Sequence, residues 1–495
     1  MKKIIVDSSL NQTRVAVLED KELVELYIER ETNRRTVGNI YKGRIANVLP
    51  GMQAAFVDVG LDKNAFLFVK DAIPPEMEAD RGLSIRDVVK SGQEIIVQII
   101  KEAIGSKGAR VTTHLTLPGR YLVLMPYVDY VGISRRISNE HERERLREII
   151  EAVKPSNMGI IVRTAGEGKE EKEVKEDLNF LLKLWQKIEK EKKLGFAPKL
   201  IYQDLDLLHR TIRDMFTSSI DKLMINDKEK YKSILDLVEL VAPHLKKRVE
   251  HFEVDMNIFE YFNIESMINH AIARKVWLKS GGYLVIDQTE ALTVVDVNTG
   301  KYVGSIDLED TVLRINKEAA EEIAKQLRLR DIGGIIIVDF IDMNKQGGKK
   351  EVLNVLEKAL EKDRTKTNVL GITQLGLLEM TRKKIRGRIG SIMQKKCPYC
   401  EGTGSVLSEY TVIQNIEKEV KRIALHTTSE AILIEVAPCV VEILKTDGNR
   451  FVEKLEESAE LKIFIKGVEK IHTSAFSVKA MGKVDKISEM LKGYK

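Results

Sequence analysis

The sequence has little cysteine and no long apolar run. It contains three cysteines in 495 residues, which excludes a disulfide framework and leaves the close pair Cys397 and Cys400 as the informative feature. No apolar run approaches the roughly 18 residues that a membrane-spanning helix needs. The chain begins like a signal peptide, but Asp7 ends the apolar stretch 4–6 almost at once. We therefore expect a cytoplasmic protein without a membrane span.

The sequence also lacks a strong excess of charge of either sign. Eighty Lys and Arg residues against 75 Asp and Glu residues give a net charge of +5, which does not identify a nucleic-acid-binding protein by itself. Any site for a polyanion must therefore be a local patch. The length of 495 residues corresponds to about three domains of ~150 residues, so a single small binding module is excluded.

The apolar pattern changes several times along the chain and predicts a multidomain α+β protein. Residues 1–36 are typical of a few strands that do not complete a domain. Residues 37–112 are short strands separated by glycines, which indicates a small β-barrel. Residues 113–208 mix strands with a charged helical stretch. Residues 207–270 are mostly helical in pattern, and we expect them to close the core begun by residues 1–36.

The second half of the chain has its own succession of patterns. The alternation in residues 283–297 predicts a hairpin, and the apolar spacing of residues 312–327 predicts a helix. The wholly apolar run 335–338 predicts a buried central strand. A basic stretch, 382–396, then leads to the cysteine pair, and the residues from 408 onward form a last α+β module.

Two aspartates and an asparagine stand at the ends of these strands. Asp296 and Asn298 are two residues apart on one strand, so their side chains share a face. Asp339 ends the apolar strand, where a buried carboxylate is costly unless it is paired, hydrogen-bonded or metal-bound. A few carboxylates, with water and substrate phosphate at the remaining positions, suit Mg²⁺ in phosphodiester chemistry. From spacing alone, the alternative is that both aspartates are ordinary capping or turn residues.

Four motifs resemble those of the ribonuclease E/G family. They are DVNTG at 296–300, QLRLRDIGG at 326–334, VDFIDM at 338–343 and CPYC at 397–400. The resemblance covers essentially the whole chain. Because the chain ends at Lys495 without a long disordered scaffold, the resemblance favours the ribonuclease G branch of the family.

The resemblance implies a catalytic role for three residues. Asp296 and Asp339 would hold one catalytic Mg²⁺ per chain, and Asn298 would lie at the scissile phosphate. The implied activity is cleavage of single-stranded, A/U-rich RNA by an activated water, which leaves a 5′-phosphate and a 3′-hydroxyl. The implied substrates are rRNA precursors and mRNA.

The resemblance also implies an architecture. A non-catalytic RNase H-like fold would be split by an S1 domain, which is an OB-type β-barrel, and by a 5′-sensor region. A DNase I-like catalytic domain, a zinc link and a small C-terminal α+β domain would follow. The implied segments are the first RNase H-like segment (1–36), S1 domain (37–112), 5′-sensor region (113–208), second RNase H-like segment (209–272), DNase I-like domain (273–394), zinc link (395–407) and C-terminal domain (408–495).

Phe56 and Phe66 lie on successive strands of the predicted barrel. Phenylalanines in strands are more often core residues, but an exposed ring can stack on a base for about 1–3 kcal/mol. The resemblance favours contact with RNA. Lys107 lies in a predicted loop where a cation can meet a phosphate, although a solvated surface lysine is the simpler alternative.

Arg163 and Thr164 follow a predicted strand, so a guanidinium and a hydroxyl project together and can bind a terminal phosphate. From the residues alone, an ordinary surface arginine is the alternative. The resemblance implies that this pair recognises a 5′-monophosphate, with Gly119 and Val123 forming part of the pocket. A further arginine of the family corresponds to Lys366, which keeps the charge but loses the planar fork.

The Cys397–Cys400 motif also occurs in glutaredoxins, where the pair lies between a strand and a helix. Here the flanking residues are typical of a zinc-knuckle turn. A structural zinc site needs four ligands and the motif supplies two. Cys439 is distant, in an apolar strand-like context that favours a core residue. The resemblance implies that Zn²⁺ is shared between two chains, and hence a homodimer, with a homotetramer left open.

Two other functions remain open from the sequence. One is a non-catalytic S1-domain RNA-binding or ribosome-associated protein, and the presence of Asp296, Asn298 and Asp339 argues against it. The other is a redox enzyme that uses Cys397 and Cys400, which would leave the aspartate motifs unexplained.

Overall fold

The computed structural model describes residues 1–9, 11–30, 35–73, 83–103, 107–300, 308–343, 347–384, 387–446 and 450–492. It has two compact units, Met1–Ile392 and Met393–Lys495. The strands are β1 (Lys2–Ser9), β2 (Gln12–Glu19), β3 (Glu22–Arg30), β4 (Ile40–Leu49), β5 (Ala54–Asp58), β6 (Ala65–Phe68), β7 (Glu94–Lys101), β8 (Arg110–Thr112), β9 (Leu117–Pro118), β10 (Leu122–Met125), β11 (Val131–Ile133), β12 (Gly159–Val162), β13 (Lys199–Tyr202), β14 (Lys222–Ile225), β15 (Val249–His251), β16 (Lys275–Trp277), β17 (Tyr283–Gln288), β18 (Leu292–Asn298), β19 (Gly334–Asp339), β20 (Thr367–Ile372), β21 (Leu378–Arg382), β22 (Ala431–Val436), β23 (Lys462–Gly467) and β24 (Phe476–Gly482).

The helices connect and cover these strands. They are α1 (Val69–Ala72), α2 (Ile85–Val88), α3 (Glu140–Val153), α4 (Glu171–Lys192), α5 (Leu207–Met215), α6 (Lys228–Val241), α7 (Ile258–Tyr261), α8 (Ile264–Ile272), α9 (Leu308–Leu329), α10 (Gly348–Leu360), α11 (Ile389–Met393), α12 (Glu409–His426), α13 (Pro438–Thr446), α14 (Arg450–Ala459) and α15 (Val484–Lys492), with 3₁₀ turns at Pro50–Met52, Thr164–Gly166 and Pro243–Arg248. Among the described residues, none of these helices is both long and apolar enough to cross a membrane. The mixture confirms the predicted α+β class.

The first sheet draws its strands from two distant regions of the chain. Its order is β15-β14-β1-β2-β3, and β1 runs parallel to β14 with Ile4 opposite Leu223. Apolar residues of α5 and α6 pack on one face and those of α7 and α8 on the other. The first three strands therefore share their sheet with strands that follow more than 190 residues later.

The glycine-punctuated strands close into a barrel. The order β4-β5-β6-β8-β7 is completed by pairing of β7 with β4, and β13 adds to β4 from outside. Close approach of backbones explains one of the glycines: a Cβ on Gly108 would lie 2.1 Å from the carbonyl oxygen of Asn64. The predicted small barrel is confirmed.

A four-stranded sheet, ordered β11-β12-β10-β9, carries α3 and α4 on its apolar side. The sequence pattern predicted β10, β12 and α4, but it missed α3. Most residues of α3 are charged, and only Leu146 and Ile150 are fully buried, so its apolar stripe is too narrow to recognise by spacing.

The next sheet has the order β16-β17-β18-β19-β21-β20. The predicted hairpin is β17 and β18, and α9 then crosses over so that β19 returns parallel to β18. Both α9 and α10 pack on one face. The prediction of a buried β19 is therefore only partly right: Val338 is buried, but Ile335, which points to the face opposite α9 and α10, is 51% exposed.

The second unit is a small α+β module. Its three-stranded sheet has β22 in the centre, parallel to β23 and antiparallel to β24. Helices α12, α13 and α14 pack on one face, and α15 packs on the other. Cys439 lies in α13, so the strand expected there is wrong. Pro438 occupies the first position of that helix, where its missing N–H costs nothing.

Candidate active site and RNA-binding surfaces

Asp296 and Asp339 lie side by side on neighbouring strands. The crossover through α9 makes β18 and β19 parallel, and their register pairs Asp296 with Asp339. Paired strands are about 4.8 Å apart, so both carboxylates project from the same face at the same level. Both side chains are exposed, whereas Val297 and Val338 point to the core on the opposite face. The fold thus brings together two carboxylates that are 43 residues apart in the chain.

Asn298 completes this group. It lies two residues beyond Asp296 on β18, and its Nδ2 atom donates a hydrogen bond of 2.8 Å to Oδ2 of Asp296. The hydrogen bond occupies one oxygen of Asp296 and fixes the orientation of its carboxylate. Because the amide nitrogen carries two hydrogens, the second one remains for another acceptor.

The donor set at this edge fits a hard divalent cation. Within the described ranges, no group of three or more His, Cys, Asp and Glu side chains could hold a metal ion. Mg²⁺ commonly takes one or two carboxylates and fills its remaining positions with water and substrate phosphate. Two exposed, adjacent carboxylates are suited to that binding mode and not to a four-ligand structural zinc site.

Arg163 lies at the end of β12, where two acceptors hold its side chain. Its Nη1 donates to the carbonyl oxygen of Gly119 at 2.5 Å, and its Nη2 lies 2.7 Å from Oδ1 of Asp214 on α5. Burial alone would raise the pKa of Asp214, but the hydrogen bond from Arg213 and the charges of Arg213 and Arg163 lower it below its ordinary value. The guanidinium is thus positioned by an ionised partner.

Gly119 belongs to a tight turn that Asp177 of α4 holds in place. The Asp177 carboxylate accepts the backbone N–H groups of Arg120, Tyr121 and Leu122 at 3.1, 2.8 and 2.9 Å. A Cβ on Gly119 would lie 2.6 Å from that carboxylate, so a larger residue would displace the carboxylate from the N–H groups that it accepts. Val123 follows on β10, opposite Ile161 of β12.

Thr164 and Lys366 lie at the two ends of a chain of contacts. The Thr164 hydroxyl is 2.9 Å from the hydroxyl of Ser134, which accepts the backbone N–H of Arg136 at 3.3 Å. The Arg136 guanidinium donates to the carbonyl oxygen of Arg364, and Lys366 follows two residues later with an exposed side chain. The loop that carries Lys366 is therefore joined to the segment beside Thr164.

Phe56 and Phe66 face one another across the barrel strands β5 and β6. They are register partners, with ring centroids 6.0 Å apart and ring planes at 71°, and both are half-buried. Lys107 is exposed and precedes Ala109, whose carbonyl oxygen accepts the N–H of Phe66 at 2.7 Å. The preceding loop residues, 105 and 106, lie outside the described residues.

The cysteine pair lies in a turn of the second unit that follows α11 and precedes α12. Hydrogen bonds from the backbone N–H groups of Gly404 and Gly402 lower the pKa of the Cys400 thiol, and the Gly404 nitrogen is 3.4 Å from its sulfur. His472 is nearby, but its Nε2 bonds to the carbonyl of Tyr399 at 2.7 Å and its Nδ1 to the N–H of Ser474 at 3.1 Å. A helix, not a strand, precedes the motif, which does not match the strand-to-helix setting of a redox pair.

Comparison with known proteins identifies the family. The model of the Ribonuclease E/G family matches residues 116–385, which is more than half of the chain. Ribonuclease G of Escherichia coli (strain K12) is 43% identical over 470 residues, which cover 94% of this chain and 95% of that protein. The chain belongs to the ribonuclease E/G family. Within this family, ribonuclease G of Haemophilus influenzae is 40% identical over 96% of this chain and 97% of its own length, and ribonuclease E of Haemophilus influenzae is 35% identical over 99% of this chain and 53% of its own length.

The sequence missed several residues around these sites. Asp177, Asp214, Ser134 and Arg136 orient the turn, the guanidinium and the hydroxyl described above. Only Asp177 carries a signal that could have been found, because it is an acidic residue beside the apolar stripe of α4. Asp214, Ser134 and Arg136 contact residues that are distant in the sequence and come close only in the folded chain.

Proposed function

We propose that the protein is a Mg²⁺-dependent endoribonuclease that cuts single-stranded, A/U-rich RNA in rRNA processing and mRNA decay. The observation that carries this proposal is the register pair of exposed carboxylates, Asp296 and Asp339. Membership of the ribonuclease E/G family, with relatives named ribonuclease G and ribonuclease E, supports the general class of reaction.

Asp296 and Asp339 would hold the Mg²⁺. When bound, the ion lowers the pKa of a coordinated water and offsets the negative charge of the phosphodiester. The hydrogen bond from Asn298 keeps the Asp296 carboxylate oriented, and the second amide hydrogen of Asn298 donates to an oxygen of the scissile phosphate. Attack of water on phosphorus forms a new P–O bond and breaks the P–O3′ bond, and a proton from that water ends on the departing O3′ oxygen. The products are a 5′-phosphate and a 3′-hydroxyl.

The Arg163 and Thr164 side chains would bind a 5′-monophosphate on the substrate and stimulate cleavage. Arg163 uses two of its five N–H donors on Gly119 and Asp214 and keeps others for phosphate oxygens. Gly119 and Val123 would form the wall of this pocket. The connection through Arg136 supports a contribution from the Lys366 cation, which can attract the phosphate without a bidentate fork.

The barrel would be an S1 domain whose Phe56 and Phe66 rings stack on bases while Lys107 meets the phosphate backbone. The sheet shared by β1–β3 and β14–β15 would be the split RNase H-like fold, and residues 273–394 a DNase I-like domain. These assignments follow the family.

The pair Cys397 and Cys400 would bind zinc together with the same pair of a second chain. The backbone hydrogen bonds that lower the Cys400 pKa favour the thiolate, which is the form that binds the metal. Two chains complete the four-ligand tetrahedron. The proposed assembly is a homodimer, and a dimer of dimers satisfies the same ligand count.

Incubation of the purified protein with a 5′-monophosphorylated single-stranded oligoribonucleotide tests the activity directly. We expect cleavage with Mg²⁺ and none with EDTA, and products that end in a 3′-hydroxyl and a 5′-phosphate. Tight RNA binding without any cleavage under these conditions would favour the non-catalytic RNA-binding alternative.

A further inference from the structure

An aromatic pair with a lysine lies on the same sheet face as the aspartate pair. On the edge strand β16, Trp277 is the register partner of Tyr283 on β17. Their ring centroids are 5.3 Å apart with planes at 62°. The Nζ atom of Lys275 lies 4.1 Å from the centroid of Trp277 and 3.5 Å from that of Tyr283. We refer to Lys275, Trp277 and Tyr283 as the aromatic cluster.

The sheet register connects this cluster to the candidate active site. Tyr283 is opposite Asn298, so one row of the sheet runs from Trp277 through Tyr283 to Asn298. The next row contains Lys275, then Val285 and Asp296, and ends at Asp339. Because side chains in one row point to one face, the cluster and the carboxylates share the face opposite α9 and α10. Two strand spacings, on the order of 10 Å, separate Trp277 from Asn298.

The indole ring of Trp277 is accessible to solvent. Trp277 is 58% exposed, and the helices that cover this sheet lie on its other face. Among the residues that the structure describes, Lys275 has no carboxylate within ion-pairing distance. A packing role for Trp277 would bury the ring, and a purely electrostatic role for Lys275 would give it an acidic partner.

We infer that the aromatic cluster is a nucleotide subsite, in which Trp277 stacks on an unpaired base of the substrate next to the scissile phosphate and Lys275 contacts the adjoining phosphate. This inference rests on the proposed function and adds a binding site for one base of the RNA beside the scissile phosphate. An exposed indole offers a stacking surface to every base, and the cation–π contacts hold the Lys275 ammonium beside the rings of Trp277 and Tyr283.

The chain offers a direct readout, because it contains only two tryptophans. Trp185 is 6% exposed and packs edge-on against Tyr127 at 5.3 Å. In a Trp185→Phe, Asp339→Asn chain, Trp277 is the sole indole and cleavage is suppressed. We expect a single-stranded oligoribonucleotide to quench this fluorescence with the same midpoint as the anisotropy of a dye on the RNA. RNA binding without quenching would overturn the subsite and leave the proposed function standing, whereas no RNA binding would contradict both.

A second experiment uses the catalytically intact chain and oligoribonucleotides that each carry one abasic nucleotide near the cleaved bond. With the natural Trp277, an abasic nucleotide at one of these positions should raise KM about 5- to 150-fold, the range expected for loss of one stacked base. With Trp277→Ala, the intact RNA should show that higher KM and the abasic nucleotide should add nothing. Trp277→Phe should restore the difference, and Tyr410→Ala, which removes a 68% exposed ring in the second unit, should match the natural chain. If Trp277→Ala weakens every substrate equally, the ring is structural and the subsite is wrong.

Discussion

At the scale of single residues, the charged side chains of the candidate sites are oriented by neighbours before any ligand binds. Asn298 holds Asp296 at 2.8 Å, and Asp214 holds Arg163 at 2.7 Å. Such contacts reduce the conformational entropy that a ligand must otherwise remove. A substitution of Asp296 or Arg163 therefore removes a side chain whose orientation the protein already fixes.

Arg163→Ala should remove discrimination at the RNA 5′ end. We expect cleavage of 5′-monophosphorylated RNA to fall toward the rate for 5′-hydroxyl RNA, with the second rate little changed, because only the first substrate offers a terminal phosphate to the guanidinium. The measurement is the ratio of kcat/KM for the two substrates. Arg147→Ala, which removes a surface arginine paired with Glu144 on α3, should leave the ratio as it was. An unchanged ratio in Arg163→Ala would remove the sensor assignment.

The sequence indicated the candidate catalytic residues better than the residues that orient the side chains of the candidate sites. Asp296, Asn298 and Asp339 stand in motifs at strand ends, and period-2 spacing places the first two on one face. Asp214 on helix α5 is different, because its partner Arg163 is 51 residues away and follows a strand of the four-stranded sheet. Contacts of that kind depend on the tertiary fold, which local patterns do not encode.

At the scale of elements, the loops that enter the candidate catalytic sheet are tied together by a buried arginine. Arg382 on β21 contacts Asp331, just before β19, and Asp363, just before β20, each at 2.7 Å. The Arg382 side chain is 3% exposed. Arg382 therefore fixes the chain just before β19. The apolar pattern of β19 did not predict that residues on one face of this strand, such as Ile335, are exposed.

Arg382→Ala should destabilise the first unit strongly. Removing one member of a buried ionic group leaves charge without its counter-charge, which typically costs about 3–5 kcal/mol of unfolding free energy. The measurement is urea denaturation monitored by far-UV circular dichroism. Lys317→Ala removes a largely exposed pair with Glu351 and should change little. Equal, small effects of the two substitutions would show that the Arg382 contacts do not stabilise the sheet.

At the scale of the whole molecule, the chain uses distant segments to complete single structures. Strands β14 and β15 finish the sheet begun by β1–β3, and the segments between them form the barrel and the four-stranded sheet. Repeated changes of pattern predicted these segments, and the closed barrel followed from short strands and glycines. Strand partners are a property of topology, so the parallel pairing of β1 with β14 was not predictable from either segment alone.

Cys397→Ser should weaken zinc binding and association together. Two thiolates per chain cannot complete a tetrahedron, so loss of one should lower bound zinc and shift the protein toward monomers while each chain stays folded. Sedimentation with metal analysis measures both quantities, and Cys439→Ser, in the core-facing helix α13, is the matched control. One zinc per monomer, or a Cys397→Ser protein that remains fully associated, would contradict the shared site.

The most direct test of the account is the cleavage rate of Asp339→Asn on a 5′-monophosphorylated single-stranded oligoribonucleotide with Mg²⁺. Asparagine keeps the shape of the side chain but removes the charge that would hold the ion beside Asp296. Asp287→Asn, on β17 of the same sheet and paired with Arg274, is the control and should cleave normally. We predict that Asp339→Asn binds the RNA with an unchanged dissociation constant, measured by fluorescence anisotropy, and loses nearly all cleavage. A rate above about a tenth of that of the natural chain, a barrier change under ~1.4 kcal/mol, would contradict the assignment of the carboxylate pair.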